Sequence, residues 1–228
     1  MSASFVSTLA CSRGILFDFN GTLSDDEAQL ERAYARAIID LGYSPMSAAE
    51  YATLLGRSEP DIAASLIDAR GGPTRDADTL LSAVAGRYRA LCEDDPRVSD
   101  RTVSMVKTLR KSGRKVGIVT GTLRSLITPV LAERGLSDEL DALVTIEDVV
   151  RGKPGPEGFL MGAELLGLSD TPADILVFED SAAGVDAATR AGMPTVGIGP
   201  ASGAPLSFAT MDDAADAILG YLEKHPGM

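Results

Sequence analysis

The chain has 228 residues, of which 45% are apolar and 24% are charged, the balance of an ordinary globular protein rather than a disordered one. Its 33 acidic and 21 basic side chains leave a net charge of −12, which disfavours nucleic acid and anionic membranes as partners because both repel a negative surface. The two cysteines, Cys11 and Cys92, match no disulfide framework or metal pattern and predict reduced, buried thiols in a cytoplasmic protein.

The N-terminal segment shows no targeting signal. Met1–Ser12 contains a mildly apolar stretch at 5–11, but it has no basic start and no cleavage pattern follows it. We therefore expect a short flexible lead-in rather than a signal peptide. No apolar run in the sequence reaches the ~18 residues that a membrane-spanning helix needs.

Strand-like and helical segments alternate along most of the chain, which predicts an α/β fold with a mainly parallel sheet. The first predicted strand, 14–19, precedes a helix that begins at the capping box Ser24–Glu27 and ends at Gly42. Three more helices follow without an intervening strand, at 47–56, 61–70 and 76–92. The pattern therefore predicts a helical module inserted after the first strand.

The strand and helix alternation resumes at Asp100. The predicted helices lie at 100–111, 126–134, 157–166, 184–191 and 213–222, and the predicted strands at 115–120, 142–145, 175–178 and 195–198. Since proline fits the first position of a helix, Pro129 is expected to follow a cap at Thr128.

Four polar clusters fall at the carboxyl ends of predicted strands or just beyond them, where open α/β sheets bind ligands. They are DFNGTL at 18–23, TGT at 120–122, GKPGP at 152–156 and EDS at 179–181. Taken singly, each is explained as a turn, an exposed lysine or a helix cap. Together, a carboxylate, a hydroxyl, a lysine and a carboxylate pair at one sheet edge predict a magnesium–phosphate site, because Mg²⁺ takes hard oxygen ligands and lysine neutralises phosphate.

In this order the motifs resemble the haloacid dehalogenase-like superfamily. The segment 152–193 looks most like the branch of phosphatases and sugar-phosphate mutases that carries a helical cap after the first motif. The resemblance implies a Rossmann-like, doubly wound parallel sheet core with an inserted α-helical cap domain. The core would comprise 13–23 and 98–228, and the cap 24–97.

The resemblance also implies a nucleophile and a metal site. Asp18 would become an aspartyl-phosphate, and its second carboxylate oxygen would bind Mg²⁺ together with the carbonyl of Asn20. The acidic pair Glu179 and Asp180 would complete the metal site.

Other matched residues would bind the substrate. Thr120 and the Gly121 amide would hold phosphoryl oxygens, with Lys153 as their charge partner. In the predicted cap, Arg57 would grip a second polar or anionic group, although an exposed arginine after a helix end explains it equally well. Arg124 is a weaker candidate of the same kind.

Asn20 departs from the family's usual Asp-x-Asp motif, whose second aspartate protonates the leaving group and then accepts a proton from water. An amide cannot shuttle a proton at neutral pH, and loss of a positioned acid–base typically costs ~10²–10⁴ in rate. The backbone carbonyl and the nucleophile survive this change. Metal binding is therefore expected to persist.

Three relatives that lack this aspartate fit the sequence less well. The acidic pair at 179–180 speaks against a metal-free haloacid dehalogenase, and the absence of lysine from 24–97 removes the imine chemistry of phosphonate hydrolases. A sugar-phosphate mutase would use a cap histidine, whereas the single histidine here is His225. The mutase is disfavoured but stays an open hypothesis.

We therefore expect a magnesium-dependent phosphomonoester hydrolase that acts on a small phosphorylated metabolite and is slow, or selective for leaving groups that need little protonation. Two further hypotheses stay open. One is a catalytically impaired phosphometabolite-binding or regulatory protein. The other is an ordinary phosphatase in which the aspartate has been engineered to Asn20.

Overall fold

The computed structural model describes residues 3–225, and in this part of the chain a six-stranded sheet is surrounded by helices. The strands are β1 (Gly14–Phe17), β2 (Lys115–Val119), β3 (Ala142–Val144), β4 (Ile175–Glu179), β5 (Thr195–Ile198) and β6 (Ser207–Phe208). Neighbouring strands are parallel throughout, in the order β3-β2-β1-β4-β5-β6. The predicted α/β fold with a parallel, doubly wound sheet is confirmed, with β6 as an unpredicted edge strand.

Except for the first helix, which was not predicted, the helices lie close to their predicted positions. They are α1 (Ala3–Cys11), α2 (Glu27–Asp40), α3 (Ala48–Ala52), α4 (Glu59–Asp68), α5 (Arg75–Asp94), α6 (Asp100–Lys111), α7 (Arg124–Glu133), α8 (Glu157–Leu165), α9 (Ala182–Arg190) and α10 (Met211–Lys224). Helices α2–α5 follow one another between β1 and α6 with no strand among the residues described there. Within residues 3–225, no helix combines the length and apolarity needed to cross a membrane.

Apolar side chains cover both faces of the sheet because alternate residues of each strand point to opposite sides. Ile15 and Phe17 of β1 belong to one buried cluster with residues of α1, α6, α7 and α10, and helices α2–α5 extend the same cluster. Leu16 belongs to a second cluster with residues of α8 and α9. Across the central strands, the rings of Phe17 and Phe178 stack with centroids 5.1 Å apart.

Helix α1 shows that the flexible lead-in predicted for Met1–Ser12, of which Met1 and Ser2 lie outside the described residues, is wrong. Phe5 and Leu9 are fully buried, at the i, i+4 spacing that puts two side chains on one helix face. The Phe5 ring meets that of Phe208 edge-on at 5.0 Å. This apolar stripe explains why the segment folds.

The cysteine prediction is correct for one residue only. Cys92 is buried in α5, and Cys11, at the end of α1, is exposed. The helix turns the Cys11 side chain away from the face that carries Phe5 and Leu9.

Helix α2 begins at Glu27, so the capping box predicted at Ser24 is wrong. The N–H of Ser24 instead donates to the carbonyl of Phe19 (2.9 Å), and the N–H of Asp25 donates to the carbonyl of Arg97 (3.1 Å). These bonds hold the chain outside a helix until Asp26, and they place the two connections between α2–α5 and the sheet side by side.

Helix α7 begins before Pro129, which lies inside the helix rather than at its first position. Leu126, Ile127, Val130 and Leu131 are buried, so the apolar face extends across the proline. The missing N–H of Pro129 frees the carbonyl of Ser125. Since Ser125 is exposed, solvent can satisfy that carbonyl, and the helix tolerates the proline.

Candidate active site

The carboxyl ends of the central strands meet at one cleft. Phe17 pairs with Ile118 on one side and Phe178 on the other, so the residues that follow all three strands emerge at the same sheet edge. The cleft encloses about 60 Å³. Seven of the residues predicted for the site line it: Asp18, Asn20, Arg57, Thr120, Gly121, Lys153 and Asp180.

A buried lysine joins two carboxylates at the floor of this cleft. The Nζ of Lys153 contacts Oδ1 of Asp18 and lies 2.5 Å from Oε1 of Glu179. It also lies 5.3 Å from the centre of the Phe159 ring. Burial alone would lower the pKa of Lys153, but the charges of Asp18 and Glu179 raise it above its ordinary value. Lys153 is therefore a fixed cation at neutral pH.

Asp18 is the candidate nucleophile, and the positive charge near it is too small to keep its carboxyl readily ionised. Burial raises the pKa of Asp18 well above its ordinary value, and Glu179 and Asp180 add to the rise while Lys153 opposes it. Burial together with Glu179 also raises the pKa of Asp180 to about 6. An additional cation beside these carboxylates would favour their ionised forms.

Glu179 supports the lysine and is not among the residues that line the cleft. It is fully buried, and while Oε1 accepts from Lys153, Oε2 accepts from the N–H and the hydroxyl of Ser181, both at 3.0 Å. A Cβ at Gly184 of α9 would overlap the carboxyl. Because both oxygens already accept hydrogen bonds from protein groups, the geometry favours a positioning role for Glu179 over the metal-ligand role implied by the family resemblance.

Asp180 faces the cleft on the loop that follows β4. Its Oδ1 accepts from the hydroxyl of Thr22 at 3.2 Å. Its carboxyl packs against Gly21, which has φ +73°, and a Cβ at Gly21 would overlap Oδ2. The glycine is thus needed for both its backbone conformation and its contact with the carboxyl.

The oxygen ligands that the cleft offers suit Mg²⁺, which needs few protein ligands. They suit a metal coordinated by protein side chains alone less well. Within residues 3–225, no group of three or more His, Cys, Asp or Glu side chains is arranged to hold a metal. Mg²⁺ usually binds through one or two carboxylates, with waters and substrate phosphate completing its shell. Asp18, Asp180 and the carbonyl of Asn20 supply such a partial set.

The amide of Asn20 is engaged at both ends. Its Nδ2 donates to Oδ2 of Asp26 at 2.9 Å, and its Oδ1 accepts from the hydroxyl of Thr122. Asp26 is fully buried, also accepts from the hydroxyl of Tyr88, and has no hydrogen-bond partner at Oδ1 among the described residues. Burial raises the pKa of Asp26 to about 6. Position 20 therefore holds a fixed amide where a proton-transferring group is expected.

The opposite wall of the cleft comes from the loop before α4. The N–H of Glu59 donates to the carbonyl of Gly121 at 3.2 Å, which ties the start of α4 to the loop after β2. Arg57 lies on the same wall and donates to Oγ of Ser65 at 3.3 Å. Thr120 is buried, and its Oγ1 accepts from the N–H of Thr122 at 3.2 Å.

Arg124 lies outside the cleft lining. Its guanidinium donates to Asp148 at 2.5 Å, and its backbone N–H donates to the carboxyl of Glu147 at 2.6 Å. These contacts hold Arg124 at the surface near the start of α7, so the structure does not bring it together with the other predicted site residues.

Three titratable residues of the cleft were not anticipated from the sequence as site residues: Glu27, Tyr51 and Glu59. Burial raises the pKa of Glu27 to about 8 and that of Glu59 to about 7. Acidic residues in the first turn of a helix are explained by the helix dipole, and both glutamates occupy such positions. The sequence carried no further signal for them, because only the packing of α2 and α4 over the sheet edge brings them into the cleft.

The sequence of the chain is similar to those of known proteins. The model of the haloacid dehalogenase-like hydrolase family matches residues 13–192. The validoxylamine A 7'-phosphate phosphatase of Streptomyces hygroscopicus subsp. limoneus is 33% identical over 184 residues, which are 80% of this chain and 84% of that protein. The plasmid phosphoglycolate phosphatase of Cupriavidus necator is 30% identical over 225 residues, 97% of this chain and 94% of that protein.

The fold has close counterparts among solved structures. CbbY from Rhodobacter sphaeroides, crystallised in complex with phosphate, superposes with a TM-score of 0.77 at 21% identity, over 89% of this chain and 96% of that protein. The family match begins just before β1 and ends just after α9, so it includes every strand end that borders the cleft. The chain therefore belongs to the haloacid dehalogenase-like hydrolases and is an enzyme of that family.

Proposed function

We propose that this enzyme is a magnesium-dependent phosphomonoester hydrolase that acts through an aspartyl-phosphate at Asp18 on a small phosphorylated metabolite. The observation that carries the proposal is the contact of Asp18 with the buried cation Lys153, at the floor of a cleft that Thr120 and Gly121 also line. Such a set of groups supplies a nucleophile and fixed donors for phosphoryl oxygens. The two curated relatives compared above are phosphatases whose named substrates differ, so they support the reaction class without identifying the substrate.

In this proposal each residue has a chemical task. Asp18 attacks phosphorus, Lys153 neutralises phosphoryl charge, and the Thr120 hydroxyl and Gly121 N–H donate to phosphoryl oxygens. Asp18, Asp180 and the Asn20 carbonyl would hold Mg²⁺, which supplies positive charge that offsets the repulsion between the carboxylates and a phosphate dianion. Because the Asn20 amide cannot transfer a proton to the leaving group, leaving groups that need no protonation are expected to react fastest.

We also propose that residues 24–97 act as a cap over a core formed by 13–23 and 98–228, of which 226–228 lie outside the described residues. The bond between Glu59 and Gly121 closes this module onto the sheet edge, and the paired connections at Asp25 and Arg97 form a narrow junction. Both features support a cap that covers the cleft. A cytoplasmic location is proposed on the cysteine content alone.

The proposal is tested by removing the nucleophile. Asp18→Asn is expected to abolish hydrolysis of p-nitrophenyl phosphate, and Lys153→Ala is expected to lower it nearly to background. Asp170→Asn, at an exposed position, serves as the matched control and should retain full activity. Retention of most activity in Asp18→Asn would rule out the aspartyl-phosphate, and turnover in excess chelator would rule out the metal.

A second measurement addresses the intermediate. After mixing with acetyl phosphate, intact-protein mass spectrometry should detect one added phosphoryl group, because the first step needs no leaving-group acid and the second lacks a base at position 20. Asp18→Asn should show no such addition. The amide of Asn20 also supports a second candidate function, that of a phosphometabolite-binding protein, for which tight binding without any turnover is the distinguishing result.

A further inference from the structure

We infer that the cleft selects phosphate monoesters whose leaving group presents hydroxyl or ammonium groups and rejects leaving groups that carry a second anion. This inference rests on the proposed function, since it names the substrate class of the same site. Glu27 is the residue to which we assign this selectivity.

Glu27 is an unpaired carboxyl in the wall of the cleft. It lines the same space as Asp18, Asn20 and Asp180, and its carboxyl has no hydrogen-bond partner among residues 3–225. The charged groups that act on it most strongly are all carboxyls: Asp26, Asp180, Glu59 and Asp25. An unsatisfied carboxyl in a partly buried wall is stabilised by a ligand that donates hydrogen bonds or carries positive charge.

The cations of the cleft are few and are already assigned. Lys153 is held between Asp18 and Glu179 and is needed for the transferred phosphate. Arg57 is the other cation among the described lining residues, and it lies exposed, with Glu59 two residues further along the same wall. A second anion on the substrate would therefore face Glu27 and Glu59 with only one exposed cation to balance it.

A larger neighbouring cavity has the same charge character. It encloses about 570 Å³, within the ~300–1,000 Å³ typical of small-molecule sites, and Glu27 and Asp180 line both it and the cleft. Its other acidic lining residues are Asp25, Asp95 and Asp212. Arg97 is the single cation among the described residues around it, and Asp95 (3.0 Å) and Asp25 (3.8 Å) already pair with it.

Both spaces that Glu27 lines thus offer acceptors rather than cations. A hydroxyl or ammonium group satisfies Glu27. Above about pH 8, the pKa of Glu27, this carboxyl is ionised, and a carboxylate or second phosphate on the substrate then adds like charge beside it. One unit charge at contact range near a protein surface changes binding by more than a factor of ten. The structure therefore predicts discrimination of about tenfold or more between substrates that differ in the sign of one charge.

Two substrates of equal length test this inference. Phosphoethanolamine and phosphoglycolate each carry two carbons beyond the ester oxygen and differ by an ammonium against a carboxylate, and ethyl phosphate is the uncharged reference. At about pH 9, above the pKa of Glu27, we expect the kcat/KM of the unmodified enzyme for phosphoethanolamine to exceed that for phosphoglycolate at least ~10-fold, with ethyl phosphate between them. An equal or reversed order would overturn the inference.

Variants at Glu27 assign the effect to this residue. Glu27→Gln should lower the ratio of the two kcat/KM values at least threefold, and Glu27→Lys should invert it. Glu31→Gln removes the same charge one turn along α2, outside the cleft lining, and should leave the ratio unchanged. A ratio that moves equally in both variants, or in neither, would contradict the role of Glu27.

The outcomes separate this inference from the proposed function. Failure of the unmodified enzyme to hydrolyse any of the three monoesters or p-nitrophenyl phosphate would contradict the proposed function itself. Hydrolysis with the wrong ranking would contradict the selectivity alone. If the Glu27 variants do not fold, the ranking by the unmodified enzyme still decides.

Discussion

The side chain at position 20 is hydrogen-bonded to a buried carboxyl, and its chemistry depends on that partner. Asn20 donates to Asp26 at 2.9 Å, and Asp26 is fully buried. An aspartate at position 20 would place two carboxyls in hydrogen-bond contact, where one of them must hold a proton. The amide at position 20 and the carboxylate at position 26 are therefore mutually dependent.

The hydrogen bond between Asn20 and Asp26 determines the expected effect of substituting Asn20. Asn20→Asp alone is expected to destabilise the protein above about pH 6, the pKa of Asp26, because both carboxyls are then driven to ionise. The double exchange Asn20→Asp with Asp26→Asn keeps one amide and one carboxyl in contact. It should restore stability to within ~1 kcal/mol, as measured by urea unfolding at pH 7.5.

The same pair of variants tests catalysis. The double exchange should raise hydrolysis of alkyl phosphates ~10²-fold or more, because it places a carboxyl at position 20 without a repulsive neighbour. Aryl phosphates should gain less in the first step. If the single and the double variant had equal stability and equal activity, the hydrogen bond to Asp26 would be unimportant.

Helix α1 is the element whose contribution to the fold was not anticipated. Its Phe5 and Leu9 are buried without exposure, and the carbonyl of Leu9 accepts from the guanidinium of Arg114 at 3.2 Å. Arg114 is itself buried. Helix α1 therefore completes the apolar layer over one face of the sheet and gives a buried arginine a partner.

Truncation of the Phe5 side chain should therefore destabilise the whole protein. Phe5→Ala is expected to lower the free energy of unfolding by ~3–5 kcal/mol, since a fully buried ring and its edge contact with Phe208 are lost. Ser7→Ala, at an exposed position of the same helix, should change it by less than ~0.5 kcal/mol. Equal and small effects of both substitutions would mean that α1 is docked too weakly to matter.

The protein as a whole carries an excess of buried acid, and this sets its pH dependence. Burial raises the pKa of Asp26 from 3.8 to about 6 and that of Glu59 from 4.5 to about 7. A carboxyl whose pKa is higher in the folded than in the unfolded state stabilises the protein below its unfolded pKa, and this contribution is lost as the pH rises through the folded value. Stability in the absence of metal should therefore fall between about pH 4.5 and pH 7.

Glu59 offers a direct test of this pH dependence. Its contribution amounts to roughly 2–3 kcal/mol lost between pH 5 and pH 8, from about 1.4 kcal/mol per pKa unit. The hydroxyl of Tyr34 donates to Oε2 of Glu59. Glu59→Gln should accept this hydrogen bond without titrating, so the unfolding free energy of the variant should fall less over this range. Urea unfolding in chelator at both pH values checks this, with Glu164→Gln, at an exposed position of α8, as control. Parallel curves for Glu59→Gln and the unmodified protein would refute the assignment.

Local patterns were sufficient to predict β1–β5 and most of the helices, but not β6. Short apolar runs with a polar residue directly after them identified β1, β2 and β4 and placed Asp18, Thr120 and Asp180 at strand ends. Parallel strands bring their carboxyl ends to one edge, so a cleft at that edge followed from topology alone. The family resemblance of the same motifs added the expected chemistry of Asp18 and Lys153.

Contacts between distant segments could not be obtained in this way. The partners of Asn20 are Asp26 and Thr122, the latter 102 positions away, and Glu179 is bound to Lys153 26 positions away. The position of Glu27 in the first turn of a helix already explained why an acidic residue stands there. Helix α1 was too short to show its apolar stripe clearly. Hydrophobic periodicity records only which face of an element is buried, whereas the identity of the opposing side chain depends on packing between elements. For this reason, motif order predicted which strand ends border the cleft, and only the tertiary arrangement of α2 and α4 over the sheet placed Glu27 and Glu59 in its lining.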